Sequence, residues 1–460
     1  MKRISIQLGK EVAEINLPDD TEILSIAPPT QLSNPTFSIQ KALEGSMSSP
    51  GLDQIIEQKL KINPQAKAVI VISDNTRPVP CKGKAGILWP IIEKLLAKNI
   101  SNDHILILVA TGTHRPLTDE ELREMLDSRV FDYRIPIKNH HCRDKNNLVY
   151  LGETSRGSTV HINRDYMEAD IKILTGLVET HFMAGASGGR KSICPGLIGE
   201  ESIYIFHGAP MLVSPKATDL MIDGNPCHQE ALEVAKKAGA DYILNVTLDQ
   251  DFQLTGVFAG ELEEAHKQAV KQIKKYVTIP LDKEYDIVIT HAGFVGINHY
   301  QAAKAAVVAI PALKPDGKLI MIANNNDKDL IGSEKYKAVL HLLKIIGAKQ
   351  FNHLILSPDW TFIPDQWQVQ MWTRLFNKIS QKNFIYYSPR LSFNDYKILP
   401  GIDGNIFLPV NKRYKGTLKD AAQMIENAMN EIDKEFKVKG KKEFSIAFLS
   451  DGPYGVPVKL

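Results

Sequence analysis

Polar side chains suited to acid–base and anion-binding chemistry follow three predicted strands in the first half of the chain. The polar segments are 73–78 (Ser-Asp-Asn-Thr-Arg-Pro), 111–116 (Thr-Gly-Thr-His-Arg-Pro) and 179–182 (Glu-Thr-His-Phe). In an open parallel sheet, ligands bind at the carboxyl ends of the strands, so these segments should meet in one crevice. Each segment alone could be ordinary turn chemistry, because Asp, Asn, Thr, Gly and Pro all favour turns. Together they bring His114, His181 and two arginines to one edge, which favours a site.

A glycine-rich segment, Gly185–Lys191, reads Gly-Ala-Ser-Gly-Gly-Arg-Lys. Glycines let backbone amides approach a phosphate, and a lysine adds a charge or a nucleophilic amine. The segment resembles a P-loop, but Arg190 stands where that motif needs glycine, and no strand leads directly into it. A flexible glycine linker fits less well, because Lys191 and Ser192 follow at once.

Conventional metal-binding patterns are missing from the sequence. His140, His141 and Asp144 have the ligand types of a zinc site, but no HExxH or CxxC pattern accompanies them. The four cysteines, at positions 81, 142, 194 and 227, include no close pair. This spacing argues against a disulfide framework and indicates a reducing compartment.

Short β-branched runs alternate with helical patterns, which predicts an α/β fold with largely parallel sheets. Strands are predicted at 67–73, 105–111, 171–178, 286–290, 318–323, 354–357, 384–387 and 445–449. Helices are predicted at 87–97, after the capping box at 118–121, and at 225–237, 262–276 and 418–436. In the second half, Tyr300, Gln301 and Lys304 should share one side of a helix start, although solvated residues are common there. Considered without its sequence neighbours, Trp367 is predicted to be a core residue.

A change of composition near 262–282 marks a predicted domain boundary, since a lysine-rich helix there leads into a new strand–helix series. We predict an N-terminal domain over 1–277, completed by a returning tail at 437–460. A C-terminal α/β domain is predicted over 283–425. The segments 262–282 and 418–436 are predicted to be linking helices.

The composition is that of a globular enzyme of several domains. The chain has 460 residues, 43% of them hydrophobic and 23% charged, and a formal charge of +2. That balance gives no electrostatic case for nucleic acid or an anionic membrane. The start of the chain lacks the apolar core of a signal peptide, and the longest apolar run, Ala305–Leu313, contains Pro311 and is far shorter than the ~20 residues of a bilayer span. We therefore expect a cytoplasmic protein with no membrane or nucleic-acid partner.

Motifs across nearly the whole chain occur in the order of one known family. They are Asp74-x-Thr76-Arg77-Pro78, Thr111-Gly112-Thr113-His114, His181-x-x-Ala184-Gly185-x-Ser187-Gly188-Gly189-x-Lys191, His207, Asn225-Pro226-x-His228, Tyr300-Gln301-x-x-Lys304, Gln366-Trp367-x-x-Gln370 and Asp451-Gly452-Pro453. In this order they resemble the nickel-dependent lactate racemases and their 2-hydroxy-acid racemase and epimerase relatives. One such motif would be weak evidence for the family, but the ordered set is specific to it.

The resemblance implies two α/β domains with an interdomain active-site cleft. It also implies a nickel-pincer nucleotide, the pyridinium-3-thioamide-5-thiocarboxylic acid mononucleotide, made by cofactor-synthesis enzymes. Its two sulfurs and one ring carbon bind nickel. Lys191 matches the lysine that carries the nucleotide as a thioamide, and His207 matches the nickel ligand of the protein. Two sulfurs, one carbon and one imidazole suit the square-planar geometry of Ni(II).

The resemblance also assigns roles to the other residues. His114 and His181 match an acid–base pair that inverts the Cα of a 2-hydroxy acid by hydride transfer to and from the cofactor. Arg77 and Lys304 match residues that hold the substrate carboxylate. Tyr300, Gln301 and Trp367 match the pocket wall, and Asp74 and Thr76 match residues around the cofactor. We further predict that the amides of Gly185–Gly189, with Ser187, Gly188 and Gly189 among them, hold the nucleotide phosphate.

One departure widens the predicted range of substrates. The loop Gly293–His299 lacks the Pro and Asp usual before the Tyr-Gln pair of lactate racemases. We therefore expect lactate, a bulkier 2-hydroxy acid or a sugar acid. The alternatives are a nucleotide-dependent phosphotransferase that uses the Gly185–Lys191 loop, and a non-catalytic carrier of the nickel nucleotide. Arg190 argues against the first, and the co-occurrence of His114, His181 and the two carboxylate-binding residues argues against the second.

Overall fold

The computed structural model describes residues 2–459, which contain twenty β-strands. In chain order they are β1 (Lys2–Leu8), β2 (Glu11–Leu17), β3 (Glu22–Leu24), β4 (Ala68–Ser73), β5 (Ile105–Ala110), β6 (Ile137–Asn139), β7 (Leu148–Glu153), β8 (Thr159–Asn163), β9 (Ile171–Leu177), β10 (Thr180–His181), β11 (Gly185–Ala186), β12 (Tyr242–Leu248), β13 (Leu254–Gly260), β14 (Thr278–Leu281), β15 (Tyr285–His291), β16 (Leu313–Ile322), β17 (Phe384–Tyr387), β18 (Ile402–Asp403), β19 (Ile446–Leu449) and β20 (Val456–Lys459).

The same residues contain fifteen α-helices. They are α1 (Pro35–Glu44), α2 (Leu52–Ile62), α3 (Leu88–Ala97), α4 (Asp119–Met125), α5 (Ser128–Asp132), α6 (Arg164–Met167), α7 (Glu200–Phe206), α8 (Ala209–Leu212), α9 (Pro226–Ala238), α10 (Leu262–Val277), α11 (His299–Val308), α12 (Glu334–Ile355), α13 (Gln366–Lys378), α14 (Phe393–Ile398) and α15 (Ala421–Val438).

The chain divides into two compact units. Residues 28–276 form one, here called the central unit. Residues 2–27 and 277–459 form the other, here called the split unit. The division after Tyr276 lies within the segment 262–282 that the sequence marks as a boundary.

The central unit is built on a six-stranded sheet in the order β13-β12-β9-β4-β5-β6. Only the β12–β13 pair is antiparallel. Strand β4 reads Ala-Val-Ile-Val-Ile-Ser, and its first five residues are buried. A continuous apolar run of this kind is typical of a parallel strand that is covered on both faces. Because β5, β4 and β9 are neighbours, the loops that follow them begin side by side.

The split unit is built on an all-parallel sheet in the order β18-β17-β16-β15-β19-β3. Apolar residues of α15 and of the β1–β2 hairpin pack against this sheet in one buried core. Helix α15 contributes Met424, Ile425 and Ile432, whose spacing places them on one helix face.

The predicted α/β class with largely parallel sheets is confirmed. Seven of the eight predicted strands correspond to strands β4, β5, β9, β15, β16, β17 and β19, and the predicted helices correspond to α3, α4, α9, α10 and α15. The strand predicted at 354–357 is wrong, since its apolar residues end helix α12. An apolar run of only four residues shows no periodicity that would distinguish a strand from the last turn of a buried helix.

The predicted return of the tail to the N-terminal domain is also wrong. Strand β19 of that tail pairs with β15 on one side and with β3 on the other, and β20 pairs with β14. Residues 2–27 accordingly belong to the split unit and not to the N-terminal domain predicted over 1–277. The two segments predicted as linking helices differ as well, because α10 packs within the central unit and α15 lies in the core of the split unit. A lone apolar strand does not encode which sheet edge it joins.

None of the helices in residues 2–459 combines the length and the apolar composition that crossing a membrane requires.

Asp286 at the start of β15 is predicted to stabilise the split unit through its charge. Burial acts to raise the pKa of its carboxyl, but Lys441, Ser445 and Lys314 outweigh burial and hold the pKa well below its ordinary value. The carboxylate accepts from the Ser445 amide at 2.8 Å and from Lys314 Nζ at 2.9 Å. Asp286→Asn should lower the free energy of unfolding by about 1–3 kcal/mol at pH 7. Urea unfolding monitored by tryptophan fluorescence checks this, because three of the four tryptophans lie in the split unit.

The stabilisation by Asp286 should depend on pH in a defined direction. A lowered carboxyl pKa adds stability above the unfolded-state pKa of about 3.9, and that stability is lost as the pH falls towards the native value. The difference between wild type and Asp286→Asn should therefore shrink below about pH 4. Asp433→Asn, which removes a half-exposed partner of Lys437, is the control and should cost less than about 0.5 kcal/mol. An Asp286→Asn variant as stable as this control would contradict the assignment.

Candidate active site

The three polar segments of the sequence start at adjacent strands of the central unit. Asp74, Thr76 and Arg77 follow β4, His114 follows β5, and His181 follows β9. Strand β4 is paired in parallel with both β5 and β9, so all three segments leave the same edge of the sheet. The predicted convergence of these polar segments therefore has its structural basis in the strand order.

Asp74 lies between His114 and Thr76. Its Oδ2 is 2.6 Å from His114 Nδ1, and its Oδ1 accepts from both the amide and the hydroxyl of Thr76. Burial alone would raise the pKa of the Asp74 carboxyl. The hydrogen bond and the charge of His114, together with two hydrogen bonds from Thr76, outweigh burial and hold this pKa below its ordinary value. The imidazole is 54% exposed while the carboxylate is 6% exposed. Asp74 is thus a buried anchor that orients a solvent-facing histidine.

His181 is oriented by its own backbone turn. Its Nδ1 accepts hydrogen bonds from the amides of Met183 and Ala184, both at 3.2 Å. The two residues Thr180 and His181 form strand β10, which pairs with Gly185–Ala186. The ring is therefore held at the start of a tight turn.

Arg77 forms an ion pair that the sequence analysis did not assign. Its Nη1 donates to Glu179 Oε1, and the two side chains are 26% and 29% exposed. The backbone of Glu179 is held in turn by Ser187, whose amide donates to the Glu179 carbonyl and whose hydroxyl accepts from the Glu179 amide. Glu179 therefore links the arginine after β4 to the glycine-rich segment.

The glycine-rich segment folds around the buried side chain of Arg190, which is 1% exposed. Arg190 Nη2 donates to the carbonyls of Ala184 and Ala186 at 2.9 and 3.0 Å, and Nη1 lies 2.7 Å from His266 Nε2. Glycine at this position, as a P-loop requires, would leave these carbonyls without their donor. Arg190 is thus a structural centre of the segment.

Some amides in and beside the predicted phosphate cradle, Gly185–Gly189, already donate to groups of the protein. The Ser187 amide donates to Glu179 O, the Gly189 amide to Asn245 Oδ1, and the Lys191 amide to Gly188 O. Gly188 and Gly189 have positive φ values of 73° and 54°, and a Cβ atom would lie 2.6 Å from Val178 Cγ2 or 2.8 Å from His266 Cδ2. Glycine at positions 188 and 189 therefore permits close packing. The segment forms β11 and a 3-10 turn, not a P-loop.

Lys191 and His207 flank the same aromatic ring. Lys191 Nζ is 5.1 Å from the centroid of the buried Phe206 ring, and the His207 ring centroid is 4.6 Å from it. Burial and the positive charges of Arg190 and Arg77 lower the pKa of Lys191 to about 7. Burial, with the charges of Lys191 and His114, lowers the pKa of His207 well below its ordinary value. An amine and an imidazole are thus brought together near Arg77 and His114.

This pair of donors fits the nucleotide-bound nickel that the sequence resemblance implies. Among residues 2–459, no group of three His, Cys, Asp or Glu side chains could hold a metal ion by itself. His140 serves structure instead, because its Nδ1 lies 3.2 Å from Asn163 Nδ2 and its Nε2 lies 3.0 Å from the Ile198 carbonyl. A single histidine suits a metal that arrives with other ligands, and the nearby lysine supplies an amine for covalent attachment.

The substrate residues predicted in the second half lie together in the split unit. Helix α11 places Tyr300, Gln301 and Lys304 half-buried on one side, as their spacing predicts. The indole of Trp367, which is 6% exposed, donates to Tyr300 Oη at 2.7 Å. Gln368 Nε2 donates to the carbonyl of Tyr300. Trp367 therefore packs as a core residue and also fixes the Tyr300 hydroxyl.

Two family models match the chain. The lactate racemase N-terminal domain matches residues 8–219, and the lactate racemase C-terminal domain matches residues 281–389.

Two curated relatives are lactate racemases. The protein of Lactiplantibacillus plantarum is 34% identical over 341 residues, which are 74% of this chain and 77% of that protein. The protein of Thermoanaerobacterium thermosaccharolyticum is 30% identical over 381 residues, which are 82% and 86% of the two chains.

Solved structures show the same fold. The lactate racemase apoprotein from Thermoanaerobacterium thermosaccharolyticum superposes with a TM-score of 0.83 at 26% identity, over 99% of this chain and 100% of that one. A Thermotoga maritima protein, with a TM-score of 0.60 at 15% identity over 90% of this chain and 100% of that one, shares the fold alone. The family models, the curated relatives and the fold agree with the motif order of the sequence, and the chain belongs to the lactate racemase family of isomerases.

Proposed function

We propose that this racemase inverts the Cα of a 2-hydroxy acid with a nickel-pincer nucleotide attached to Lys191 and coordinated by His207. The observation that carries the proposal is the placement of Lys191 and His207 on one aromatic ring, in the unit that also carries the two histidines and Arg77. When bound, the nucleotide supplies a hydride acceptor and donor beside the substrate carbon. The cofactor-synthesis enzymes are the proposed partners for maturation, and the cytoplasm is the proposed location.

His114 and His181 are the proposed acid–base pair for the substrate hydroxyl. The buried Asp74 carboxylate contacts Nδ1 of His114 and orients this ring. The backbone turn at 181–184 orients the second ring. One proton acceptor on each face of the substrate carbon would serve both enantiomers.

Arg77 and Lys304 are the proposed partners of the substrate carboxylate. A guanidinium can bind one carboxylate through two parallel N–H bonds while another N–H stays on a second acceptor. Glu179 occupies Nη1 of Arg77 and would remain there. Tyr300, Gln301 and Trp367 are the proposed wall around the substrate. Since the loop before Tyr300 departs from the pattern of lactate racemases, the proposed substrates are lactate, a larger 2-hydroxy acid and a sugar acid.

Replacing Lys191 should abolish attachment of the nucleotide. In protein produced together with the cofactor-synthesis enzymes, intact-mass spectrometry should show the added nucleotide on wild type, and metal analysis should show nickel. Lys191→Ala should lose both. Lys191→Arg should also lose both, because it keeps the charge but not the amine.

The histidine variants provide the control for loading. His114→Gln and His181→Gln should keep the added mass and the nickel while turnover falls by a factor of about 100 or more. Wild-type protein with an unmodified Lys191 and no nickel would refute the proposed cofactor.

Inversion in deuterated water tests how the Cα hydrogen moves. Single enantiomers of lactate and of larger 2-hydroxy acids should be inverted with little deuterium at Cα, since that hydrogen is not released to solvent as a proton. Mass spectrometry of the recovered acid measures the incorporation. Heavy incorporation at Cα would instead support a mechanism through a carbanion.

Glu179 is predicted to position Arg77 for the carboxylate. Glu179→Ala should raise KM about tenfold, which corresponds to about 1.4 kcal/mol, because the guanidinium loses its anchor. Glu179→Gln keeps an acceptor for Nη1 and removes a negative charge near the substrate, so its KM should equal that of wild type or fall. Glu121→Gln removes the same charge from the Arg115 pair and is the control. An unchanged KM in Glu179→Ala would show that Glu179 has no positioning role.

A further inference from the structure

The two candidate acid–base histidines have opposite hydrogen-bond partners at the same ring atom. Nδ1 of His114 contacts a carboxylate oxygen of Asp74, whereas Nδ1 of His181 contacts two backbone amides. A neutral imidazole carries one proton, so the partner of Nδ1 decides which nitrogen remains to face a ligand as donor or acceptor.

At His114 the partner can only accept. The Asp74 carboxylate is buried, and it already accepts two bonds from Thr76 at its other oxygen. The 2.6 Å contact to Oδ2 therefore requires a proton on Nδ1 of His114. In the neutral ring, Nε2 then holds the lone pair.

At His181 the partners can only donate. Backbone N–H groups have no acceptor capacity, so the contacts from Met183 and Ala184 require the lone pair to be on Nδ1. The neutral ring then carries its proton on Nε2.

The local sequence makes this arrangement at His181 a closed turn. A side-chain acceptor that bonds the amides two and three residues later acts as an N-cap residue does on a helix. The antiparallel pairing of Thr180–His181 with Gly185–Ala186 closes the same turn. The carbonyl of Ala184 is held from the other side by Arg190 Nη2. The two amides are thus fixed donors and not the ends of a mobile loop.

We propose that His114 and His181 rest as opposite tautomers, so that His114 is ready to accept a proton and His181 is ready to donate a hydrogen bond. The roles rest on the proposed function, in which both rings face the substrate oxygen. At His114 the substrate O–H bond breaks and an N–H bond forms at Nε2, and Asp74 balances the resulting imidazolium. At His181 the same step requires Nε2 to lose its proton to solvent and Nδ1 to gain one. The contacts to Met183 and Ala184 must then break.

The two directions of the reaction pass through the same steps in opposite order, and the extra step lies on the His181 side. Lactate enantiomers have equal free energies, so the two values of kcat/KM must be equal. The extra step affects the enantiomer whose hydroxyl faces His181. It changes kcat and KM for that enantiomer by the same factor, because the ratio kcat/KM is fixed.

Nitrogen-15 NMR of histidine-labelled full-length protein without cofactor tests the tautomers directly. At pH 8, where ordinary histidines are neutral, long-range proton–nitrogen spectra distinguish a ring N–H from a lone-pair nitrogen. His114 should show the proton on Nδ1 and His181 the proton on Nε2, with signals assigned from His114→Gln and His181→Gln.

His140 is an internal reference for the Nε2–H form, because Asn163 donates to its Nδ1 and its Nε2 donates to a carbonyl. Asp74→Asn should weaken the Nδ1–H preference of His114 and leave the spectrum of His181 unchanged. The same tautomer at His114 and His181 would overturn the proposal.

This measurement needs no activity, so failure of the proposed function leaves its outcome readable. In the loaded enzyme, kcat and KM should differ between D- and L-lactate by one common factor. Equal kcat and equal KM for the two enantiomers would overturn the unequal roles, even if the tautomers are as proposed.

Discussion

The charge of Arg190, buried among backbone carbonyls, is the interaction on which the candidate site depends. An isolated buried guanidinium would be costly, and here carbonyl oxygens of its own segment and His266 meet it. Because the buried guanidinium needs these acceptors, the chain from Ala184 to Gly188 folds around the Arg190 side chain. His181 lies three residues before this segment and Lys191 three residues after it. One buried cation therefore organises the segment that lies between His181, a proposed acid–base residue, and Lys191, the proposed attachment site.

Carboxylate partners in the central unit distinguish His114 and Arg77 from Lys191. Asp74 contacts Nδ1 of His114, and Glu179 forms an ion pair with Arg77, both at the sheet edge. Among residues 2–459 no carboxylate forms an ion pair with Lys191, and burial and neighbouring positive charges lower its pKa to about 7. A neutral amine is nucleophilic, which suits the proposed reaction of Lys191 with a cofactor. Carboxylates thus contact His114 and Arg77, which are proposed to face the substrate, whereas the lysine proposed for cofactor attachment has a lowered pKa.

The sequence predicted the sheet strands and the three polar segments well, because buried parallel strands and their polar ends are local patterns. It did not predict Glu179 or Arg190, whose partners come from distant segments or from backbone carbonyls. The phosphate role of Ser187, Gly188 and Gly189 stays a prediction, since in a sequence the glycines that permit close packing look like glycines that expose amides. The sheet to which β19 belongs was not predicted, because the sequence of a four-residue strand does not indicate which strands it pairs with.

The split arrangement of the second unit has a consequence for synthesis on the ribosome. The central unit is one continuous segment, so Lys191 and His207 can reach their native surroundings while the rest of the chain is still being made. Strand β3, by contrast, pairs with β19, and Ala447 lies opposite Glu22 across more than four hundred residues of sequence. Strand β3 is synthesised first in that sheet and can pair only when β19, the last strand, has been made. The unit that carries Tyr300 and Lys304 is therefore completed only after translation has passed β19.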